Sequence, residues 1–546
     1  MQKFNLVTDP WLKVKFKSDQ IKTISLQDLF KNISQIQFLA GESSAQNLAI
    51  FRLLEAIITT VYQHVNAQGQ PYAWLNYLNN DFFDIDQAKE DLSDTWHNLK
   101  QTKNFDQVLS YLNHHQQEFN FIDDEKPFMQ VNEDIFNAFA QKKIGDKAKI
   151  TPISTINRSV NQSGNSLVTY SIISEINKNS ISLPELVRWI ITYQQYAGTS
   201  DKNVINNIGK LKDKGYLYSL CPIFIQGNYL FNTLLLNLVL FDTTSDSLAM
   251  PKPIWEQNNT TYLKQRINNI VPNNLPELYT QPSRMICIKW QNDQPEIYMA
   301  KLPAIDTANL FLEPMTTWRY NKKNNNFIPN AQSKYNIGKD MWQNFGEYFN
   351  PNIGTLHQPG IINWLQTLQE NNLLPLDFPI NLHLITIISD GSASNMLMYD
   401  INQHLQINAD VVFGKKGLLW RTHIENVIDQ TQQAATRLFV FGQQIAEKRQ
   451  SQTKIIGPEL EKQFYQELNN PFTQWLDNLH EHDDINSQIA IWQKQCYQLA
   501  KNVINQFMQT ITRRDMTPDK NGKTIFNYRS LALYKTKEAL NLNDEN

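Results

Sequence analysis

The sequence predicts two domains of different fold class. A mixed α+β (α/β) domain is expected over residues 1–405 and an all-α four-helix bundle over residues 406–546. The chain has 546 residues, which is more than a single hydrophobic core normally serves. Short β-like runs alternate with helical patterns in the first part. After Leu418 the apolar residues recur every three or four positions, as in amphipathic helices.

The elements of the first domain are indicated by local composition. Phe4–Leu6, Ile21–Ile24 and Leu382–Ile388 have the composition of strands. Gln46–His64 is a strongly apolar helix, with Ser43 or Ser44 as its N-cap. Its apolar run is interrupted by charged residues and is shorter than the ~20 residues that a bilayer span requires, so it predicts a buried helix and no membrane segment.

The segment from Lys126 to Ser171 differs from its surroundings because it has few periodic apolar positions and many small polar residues. It predicts a long surface loop, and loops of this length are usually functional or disordered.

The helical region has four apolar stripes. The first begins after Gly417, and the fourth spans roughly Phe526–Leu540, after a turn signal that ends at Gly522. Short connections between amphipathic helices favour a four-helix bundle. The stripes of the first three helices are Ile424, Val427, Ile428, Leu438, Phe441 and Ile445; Leu460, Phe464, Leu468, Trp475 and Leu479; and Ile485, Ile489, Trp492, Cys496, Leu499, Val503 and Phe507.

Composition excludes several classes of protein. The formal net charge is −3, from 50 basic and 53 acidic residues, which argues against an autonomous, strongly basic nucleic-acid binder. Three scattered cysteines predict neither a disulfide framework nor a zinc knuckle. The first residues lack the pattern of a signal peptide, and we therefore expect a cytoplasmic protein.

Clusters that suggest catalysis have simpler explanations. His480–Asp484 contains metal-ligand residue types, but acidic residues there would also cap the next helix. Gly522–Thr524 lacks the earlier glycine of a phosphate-binding loop, and Gly391–Asn395 lacks the closing glycine of a nucleophile elbow. The sequence thus predicts no enzyme and no cofactor.

Three basic groups could contact phosphates, although a solvated surface is the alternative for each. They are Lys142, Lys143, Lys147 and Lys149 in the expected loop; Arg319, Lys322 and Lys323; and Arg513 with Arg514 at the expected end of the third bundle helix.

Motifs distributed over nearly the whole chain resemble the CasA family, the large subunit of the type I-E CRISPR surveillance complex Cascade. None of the motifs is catalytic, and their order and spacing carry the resemblance. They are Phe4-Asn5-Leu6 with Asp9-Pro10-Trp11, Ser25–Leu29, Pro127–Gln130, Gly227–Leu238, Met250–Glu256, Thr317-Trp318-Arg319 and Ala532–Lys535.

The resemblance implies a non-catalytic subunit with an α/β domain followed by a four-helix bundle. Its implied partners are the other Cascade subunits (backbone, small and guide-end), the guide RNA, double-stranded target DNA and a recruited helicase-nuclease. In RNA-guided systems base pairing reads the target, and protein reads only a short flanking motif. Family members read the motif mainly from the minor groove, help to open the duplex and stabilise the resulting R-loop.

The resemblance also implies site residues. The motif-reading glycine loop falls on Asn161, Gln162, Gly164 and Asn165, where a plain turn is the alternative. Lys301 is the candidate lysine that contacts the motif. Phe128 matches an aromatic that seats the subunit at the guide RNA end, with a core phenylalanine as the alternative.

A polar hairpin tip that separates the strands corresponds to Gly391, Ser392, Ala393 and Ser394, without the glutamine usual in the family. Lys322, Lys323, Arg513 and Arg514 are implied contacts to phosphates of the displaced strand.

Two other functions stay open from sequence. The first is a metal-dependent nuclease that uses the His480–Asp484 cluster. The second is a purely architectural subunit, with motif reading done elsewhere in the complex.

Overall fold

The computed structural model describes residues 3–78, 83–157, 177–198, 203–206, 214–242, 247–330, 339–350, 354–389, 397–450 and 455–542. The chain forms two compact units. The first unit comprises Met1–Asn336, Asn352–Leu373 and His383–Gln403, and the second comprises Ile337–Pro351, Leu374–Leu382 and His404–Asn546.

The strands within the described residues form small sheets, with strand orders β1-β5, β3-β2-β4, β7-β8, β10-β9-β11 and β13-β12-β6. The strands are β1 Phe4–Asn5, β2 Leu12–Phe16, β3 Ile21–Ile24, β4 Ile36–Leu39, β5 Asn120–Ile122, β6 Ile223–Ile225, β7 Arg284–Gln291, β8 Gln294–Lys301, β9 Trp318–Asn321, β10 Asn326–Pro329, β11 Leu356–His357, β12 Pro379–Ser389 and β13 Leu397–Asn408.

Helices account for much of both units. They are α1 Leu26–Lys31, α2 Ser44–Tyr62, α3 Ile85–Thr102, α4 Asp106–His114, α5 Glu133–Phe139, α6 Ile153–Ile156, α7 Leu183–Tyr196, α8 Leu230–Asn237, α9 Asn259–Ile267, α10 Leu275–Thr280, α11 Phe345–Phe349, α12 Gly360–Glu370, α13 Ala409–Phe413, α14 Gly417–Lys448, α15 Ile456–Asp477, α16 Ile485–Met508, α17 Arg513–Met516 and α18 Ile525–Ala539. None of the helices in the described part of the chain is long and apolar enough to cross a membrane.

Helix α2 forms the centre of the first unit. It is buried over almost its whole length and contacts α4, α7, α8 and α10. Its N-cap is Ser43, whose hydroxyl accepts a hydrogen bond from the backbone N–H of Gln46 at 3.1 Å. This arrangement confirms the predicted buried helix and decides between the two predicted caps.

The long helices of the second unit contact one another. Helix α14 packs against α15, α16 and α18, and α16 also contacts α15 and α18. The residues of the first two predicted stripes are all buried, and Trp492, Cys496 and Val503 are buried in the third. The predicted mixed fold with a C-terminal helical region is therefore confirmed.

The prediction of one long surface loop from Lys126 to Ser171 is wrong for residues 126–139 and 153–157, whereas residues 141–150 have no helix or strand and are mostly exposed. Phe128 and Val131 are buried in the first of the two ranges, and helices α5 and α6 lie one in each. These helices have 7 and 4 residues, too few to produce a recognisable apolar period. Residues 158–171 lie outside the described residues.

Candidate nucleic-acid interface

Two of the predicted sites lie outside the described residues: the glycine loop with Asn161, Gln162, Gly164 and Asn165, and the hairpin tip with Gly391, Ser392, Ala393 and Ser394. The chain on either side of residues 158–176 is well anchored. The buried Asn157 donates to Glu185 Oε1 at 3.1 Å, and the backbone N–H of Ser154 donates to Asn179 Oδ1 at 3.2 Å. Burial raises the pKa of Glu185 above its usual value.

A short segment, residues 203–206, pairs with the chain that precedes the first basic group. Ile205 forms an antiparallel bridge with Ala140. The backbone N–H of Gln141 donates to the Val204 carbonyl at 2.8 Å, and that of Asn206 donates to Phe139 at 2.7 Å. The chain that leaves α5 at Ala140 is therefore extended and held along this segment.

The same segment also pairs with Lys301, the last residue of β8. The backbone N–H of Lys301 donates to the Asn203 carbonyl at 3.0 Å, and Val204 forms a parallel bridge with Lys301. The backbone of Lys142 donates to Asn203 Oδ1 at 3.0 Å, and the Asn203 amide donates back to the Lys142 carbonyl at 3.0 Å. We call residues 139–142, 203–206 and Lys301 the three-segment ribbon. The ribbon joins the backbone of Lys142, through the side chain of Asn203, to the backbone of Lys301.

The remaining lysines of the first basic group follow the ribbon. Lys143, Lys147 and Lys149 are exposed, whereas Lys142 is half-buried. The turn between them contains Gly145 at φ +85°, in the left-handed region that glycine adopts most readily. Residues 141–150 contain four lysines and one acidic residue, Asp146. This segment is therefore a local positive patch on a chain of negative net charge.

Beyond this patch the chain returns to β8. Thr151 bridges Ile297, and its backbone N–H donates to the Ile297 carbonyl at 2.7 Å. The lysine segment is thus fixed to the β7–β8 hairpin directly at its Thr151 end and through Asn203 at its Lys142 end.

The side chain of Phe128 is 3 % exposed. Its ring stacks on Phe119 with a centroid distance of 5.2 Å, and the ring of Trp255 lies at 6.2 Å. The backbone N–H of Phe128 donates to the Asn120 carbonyl at 2.7 Å. This burial agrees with the alternative that Phe128 is a core phenylalanine. Its role at the guide RNA end stays a prediction.

The second basic group lies on the β9–β10 hairpin. Arg319 is exposed, and its guanidinium donates to Asn330 Oδ1. Lys322 and Lys323 are exposed in the turn, where the backbone N–H of Lys323 donates to Asn321 Oδ1 at 3.1 Å.

The sequence predicted that Arg513 and Arg514 lie at the end of the third long helix. That prediction is wrong, because α16 ends at Met508. They begin α17, which Thr512 and Asp515 close with reciprocal capping hydrogen bonds. Both arginines are exposed. Arg449 pairs with Asp515 at 2.8 Å, and its hydrogen bond lowers the pKa of Asp515 to about 2.

The cluster His480–Asp484 makes structural hydrogen bonds. Asp484 caps α16 by accepting from the backbone N–H of Ser487 at 2.8 Å. Asp483 accepts from the backbone N–H of His480 at 2.9 Å, and Glu481 Oε1 accepts from that of Lys416 at 2.9 Å. Among the described residues, no group of three or more His, Cys, Asp or Glu side chains is placed to hold a metal ion.

Two features of this surface were missed by the sequence analysis. One is residues 203–206, which have no strand-like run that would reveal their pairing. The other is a cluster of aromatic rings around the β9–β10 hairpin, whose members come from three separate parts of the sequence.

The fold and these surfaces define a large two-unit protein that carries local basic patches. Residues 5–503 match the model of the family described as CRISPR-associated protein Cse1. The chain therefore belongs to the Cse1 family, and the resemblance stated from the sequence is confirmed. No curated protein sequence matches it.

Solved structures share the fold at low sequence identity. Cse1 from Thermobifida fusca has a TM-score of 0.79 at 21% identity, over 99% of this chain and 98% of that one. CasA (Cse1) from Thermus thermophilus has a TM-score of 0.66 at 16% identity, over 99% and 100%. A structure described as a CRISPR RNA-guided surveillance complex contains a chain with a TM-score of 0.65 at 12% identity, over 99% and 100%.

Proposed function

We propose that this chain is the non-catalytic large subunit of type I-E Cascade and acts in CRISPR antiviral defence. Membership of the Cse1 family supports this assignment, as does the fold shared with a chain of an RNA-guided surveillance complex. The other Cascade subunits and the guide RNA are its proposed partners. Its three cysteines are buried and form no disulfide with one another, which suits the reducing cytoplasm that we propose as its location.

In this proposal the chain recognises the protospacer-adjacent motif in double-stranded DNA, mainly through the minor groove. The observation that carries this function is the three-segment ribbon, because it joins the backbone of Lys142 to that of Lys301 through residues 203–206. Lysine and glycine contacts suit the minor groove, which offers a degenerate pattern of donors and acceptors and requires close approach. Tolerance of several related motifs is expected.

In this proposal the tip at Gly391–Ser394 opens the duplex. The phosphates of the displaced strand are contacted by Lys322, Lys323, Arg513 and Arg514. The negative net charge of the chain fits a subunit that contacts DNA locally while its partners supply most of the positive field. The packing of α14 against α15, α16 and α18 supports the proposed four-helix bundle. Recruitment of the helicase-nuclease is a further role that we assign to this subunit.

The test compares guide-loaded complexes assembled with and without this chain. Duplex targets that match the guide and differ only in the flanking motif are titrated against each complex. The proposal expects tighter binding to the motif-bearing target only when the chain is present. Equal binding of both complexes to both targets would indicate that the subunit is purely architectural.

Variants then locate the reading site. Gly164→Leu and Lys301→Gln should each weaken binding to the motif-bearing duplex without preventing complex assembly. Lys289→Gln is the matched control, because Lys289 lies on the same hairpin and is paired with Glu133 at 2.8 Å. If the Lys301→Gln and Lys289→Gln complexes lose the same affinity for the motif-bearing duplex, Lys301 has no specific role in reading the motif.

A further inference from the structure

One face of the β10-β9-β11 sheet carries aromatic side chains. Tyr320 lies directly opposite Phe327, and Trp318 lies directly opposite His357. Residues opposite each other in a sheet share a face, as do alternate residues of one strand. These four rings therefore lie on the same face of the sheet.

The rings form a contiguous cluster, which Phe311 completes. The ring centroid of Phe327 lies 4.3 Å from that of His357, 5.2 Å from that of Tyr320 and 5.6 Å from that of Phe311. Trp318 is buried beneath the others. Phe311 is 38 % exposed, and the other three are half-buried. We call Phe311, Tyr320, Phe327 and His357 the aromatic face.

The β9–β10 hairpin that carries part of the aromatic face is positively charged. Residues 318–330 contain three basic and no acidic residues. Lys322 and Lys323 are exposed in the turn that joins β9 to β10. Arg319 lies on the reverse face, opposite Ile328 and Leu356. Burial lowers the pKa of His357 below its usual value, which favours the neutral form of its ring.

We propose that the aromatic face binds unpaired bases of single-stranded DNA by stacking, with Lys322 and Lys323 holding the adjacent phosphates. Aromatic platforms beside cations are the usual means of binding single strands without sequence preference. A duplex does not fit this surface, since its bases are already stacked on one another.

This inference deepens the proposed function, on which it rests for the source of the ligand. The phosphate contacts proposed for this hairpin hold the displaced strand by charge alone, and the aromatic face adds contacts to its bases. Because stacking tolerates every base, the surface would serve any target sequence.

The first experiment uses the full chain alone and does not depend on Cascade. Fluorescence anisotropy measures its affinity for a labelled oligothymidylate and for a duplex of equal length. Phe311→Leu should weaken oligothymidylate binding about tenfold, as expected when one stacked base is lost. Phe38→Leu is the matched control, because Phe38 is 40 % exposed on β4 of the same unit. Equal losses in the two variants would overturn the inference.

A second readout separates stacking from charge. An oligonucleotide that contains the fluorescent base 2-aminopurine loses emission when that base stacks on a ring. The wild-type chain should quench it, and Phe311→Leu should not. Replacing Lys322 and Lys323 by Gln should weaken binding and its salt dependence but retain quenching at saturation. Binding without quenching in the wild type would also overturn the inference.

The guide-loaded complex then connects the two proposals, with 2-aminopurine placed in the displaced strand. Motif-dependent binding without quenching would overturn the inference and leave the proposed function intact. The chain alone could instead quench the oligonucleotide while the complex shows no dependence on the flanking motif. That result would support the aromatic face and reject motif reading.

Discussion

Arg52 and Glu313 form a bidentate ion pair that is inaccessible to solvent. Nη1 of Arg52 donates to Oε1 of Glu313 at 3.0 Å and Nη2 donates to Oε2 at 2.7 Å. Both side chains have 0% exposure. The guanidinium also lies 3.8 Å from the ring centroid of Tyr279 on α10. The pair thus connects the central helix α2 to the chain that follows β8.

Replacing one partner of this pair should be strongly destabilising. Glu313→Leu leaves the Arg52 charge buried without a counter-ion, and the free energy of unfolding of the first unit should fall by about 3–5 kcal/mol. Urea denaturation measures the loss. The double variant Arg52→Met with Glu313→Leu should be less damaging than the single one. Lys535→Gln, in the exposed pair with Glu538, should leave stability unchanged. Equal losses in the single and double variants would contradict this account.

The carboxyl of Glu55, one turn after Arg52 in α2, should make the free energy of unfolding depend on pH. Its side chain is buried, and neither carboxyl oxygen has a hydrogen-bond partner among the described residues. Burial raises the pKa of Glu55 well above its usual 4.5. The folded chain therefore keeps a proton that the unfolded chain releases. Stability should fall by about 1.4 kcal/mol per pH unit above about pH 4.5, until the folded pKa is reached.

Glu55→Gln removes this titration and should make the protein more stable than wild type at neutral pH. Unfolding temperatures of the two proteins, compared at about pH 5 and about pH 8, should diverge as pH rises. Parallel temperatures across this range would show that Glu55 ionises in the folded state.

Local sequence signals were sufficient for the long elements of this fold. The apolar run of α2 and the stripe of Ile424, Val427 and Ile428 in α14 are periodic over many turns, and their burial follows. A serine cap acts within three residues, so the cap could be narrowed to Ser43 or Ser44 from sequence, and the structure shows Ser43. Such features depend on neighbouring residues alone.

Non-local contacts explain what the sequence did not predict. Val131 is held by a hydrogen bond of 2.8 Å from its backbone N–H to the Ile286 carbonyl, far along the chain. Residues 203–206 are held by single bridges to Ala140 and Lys301 and by the hydrogen bonds of the Asn203 side chain to Lys142, none of which leaves an alternating pattern. Short helices and isolated bridges are therefore mistaken for loop, as they were between residues 126 and 157.

Helices α14 and α15 approach closely at a pair of glycines, and a larger residue there should be destabilising. A Cβ at Gly442 would lie 2.6 Å from the Cα of Gly457. Gly442→Ala should therefore force the helices apart, with a cost of about 1–3 kcal/mol despite the better helix propensity of alanine. Thermal unfolding followed by circular dichroism measures the effect. Gln433→Ala, at an exposed position of α14, is the control, and a stabilised Gly442→Ala protein would contradict the close packing.

The exposed lysines beside the three-segment ribbon predict the salt dependence of DNA binding. Each lysine that neutralises a phosphate releases counter-ions, so its removal should reduce the slope of log affinity against log salt by about 0.9. Lys143, Lys147 and Lys149 should therefore be replaced together by Gln and the slope measured for the guide-loaded complex on a motif-bearing duplex. Replacing Lys31, Lys103 and Lys264, which are exposed elsewhere in the same unit, changes the net charge equally. A loss of slope confined to the first variant places the phosphate backbone along residues 143–149, whereas equal slopes would reduce these lysines to a solvated surface.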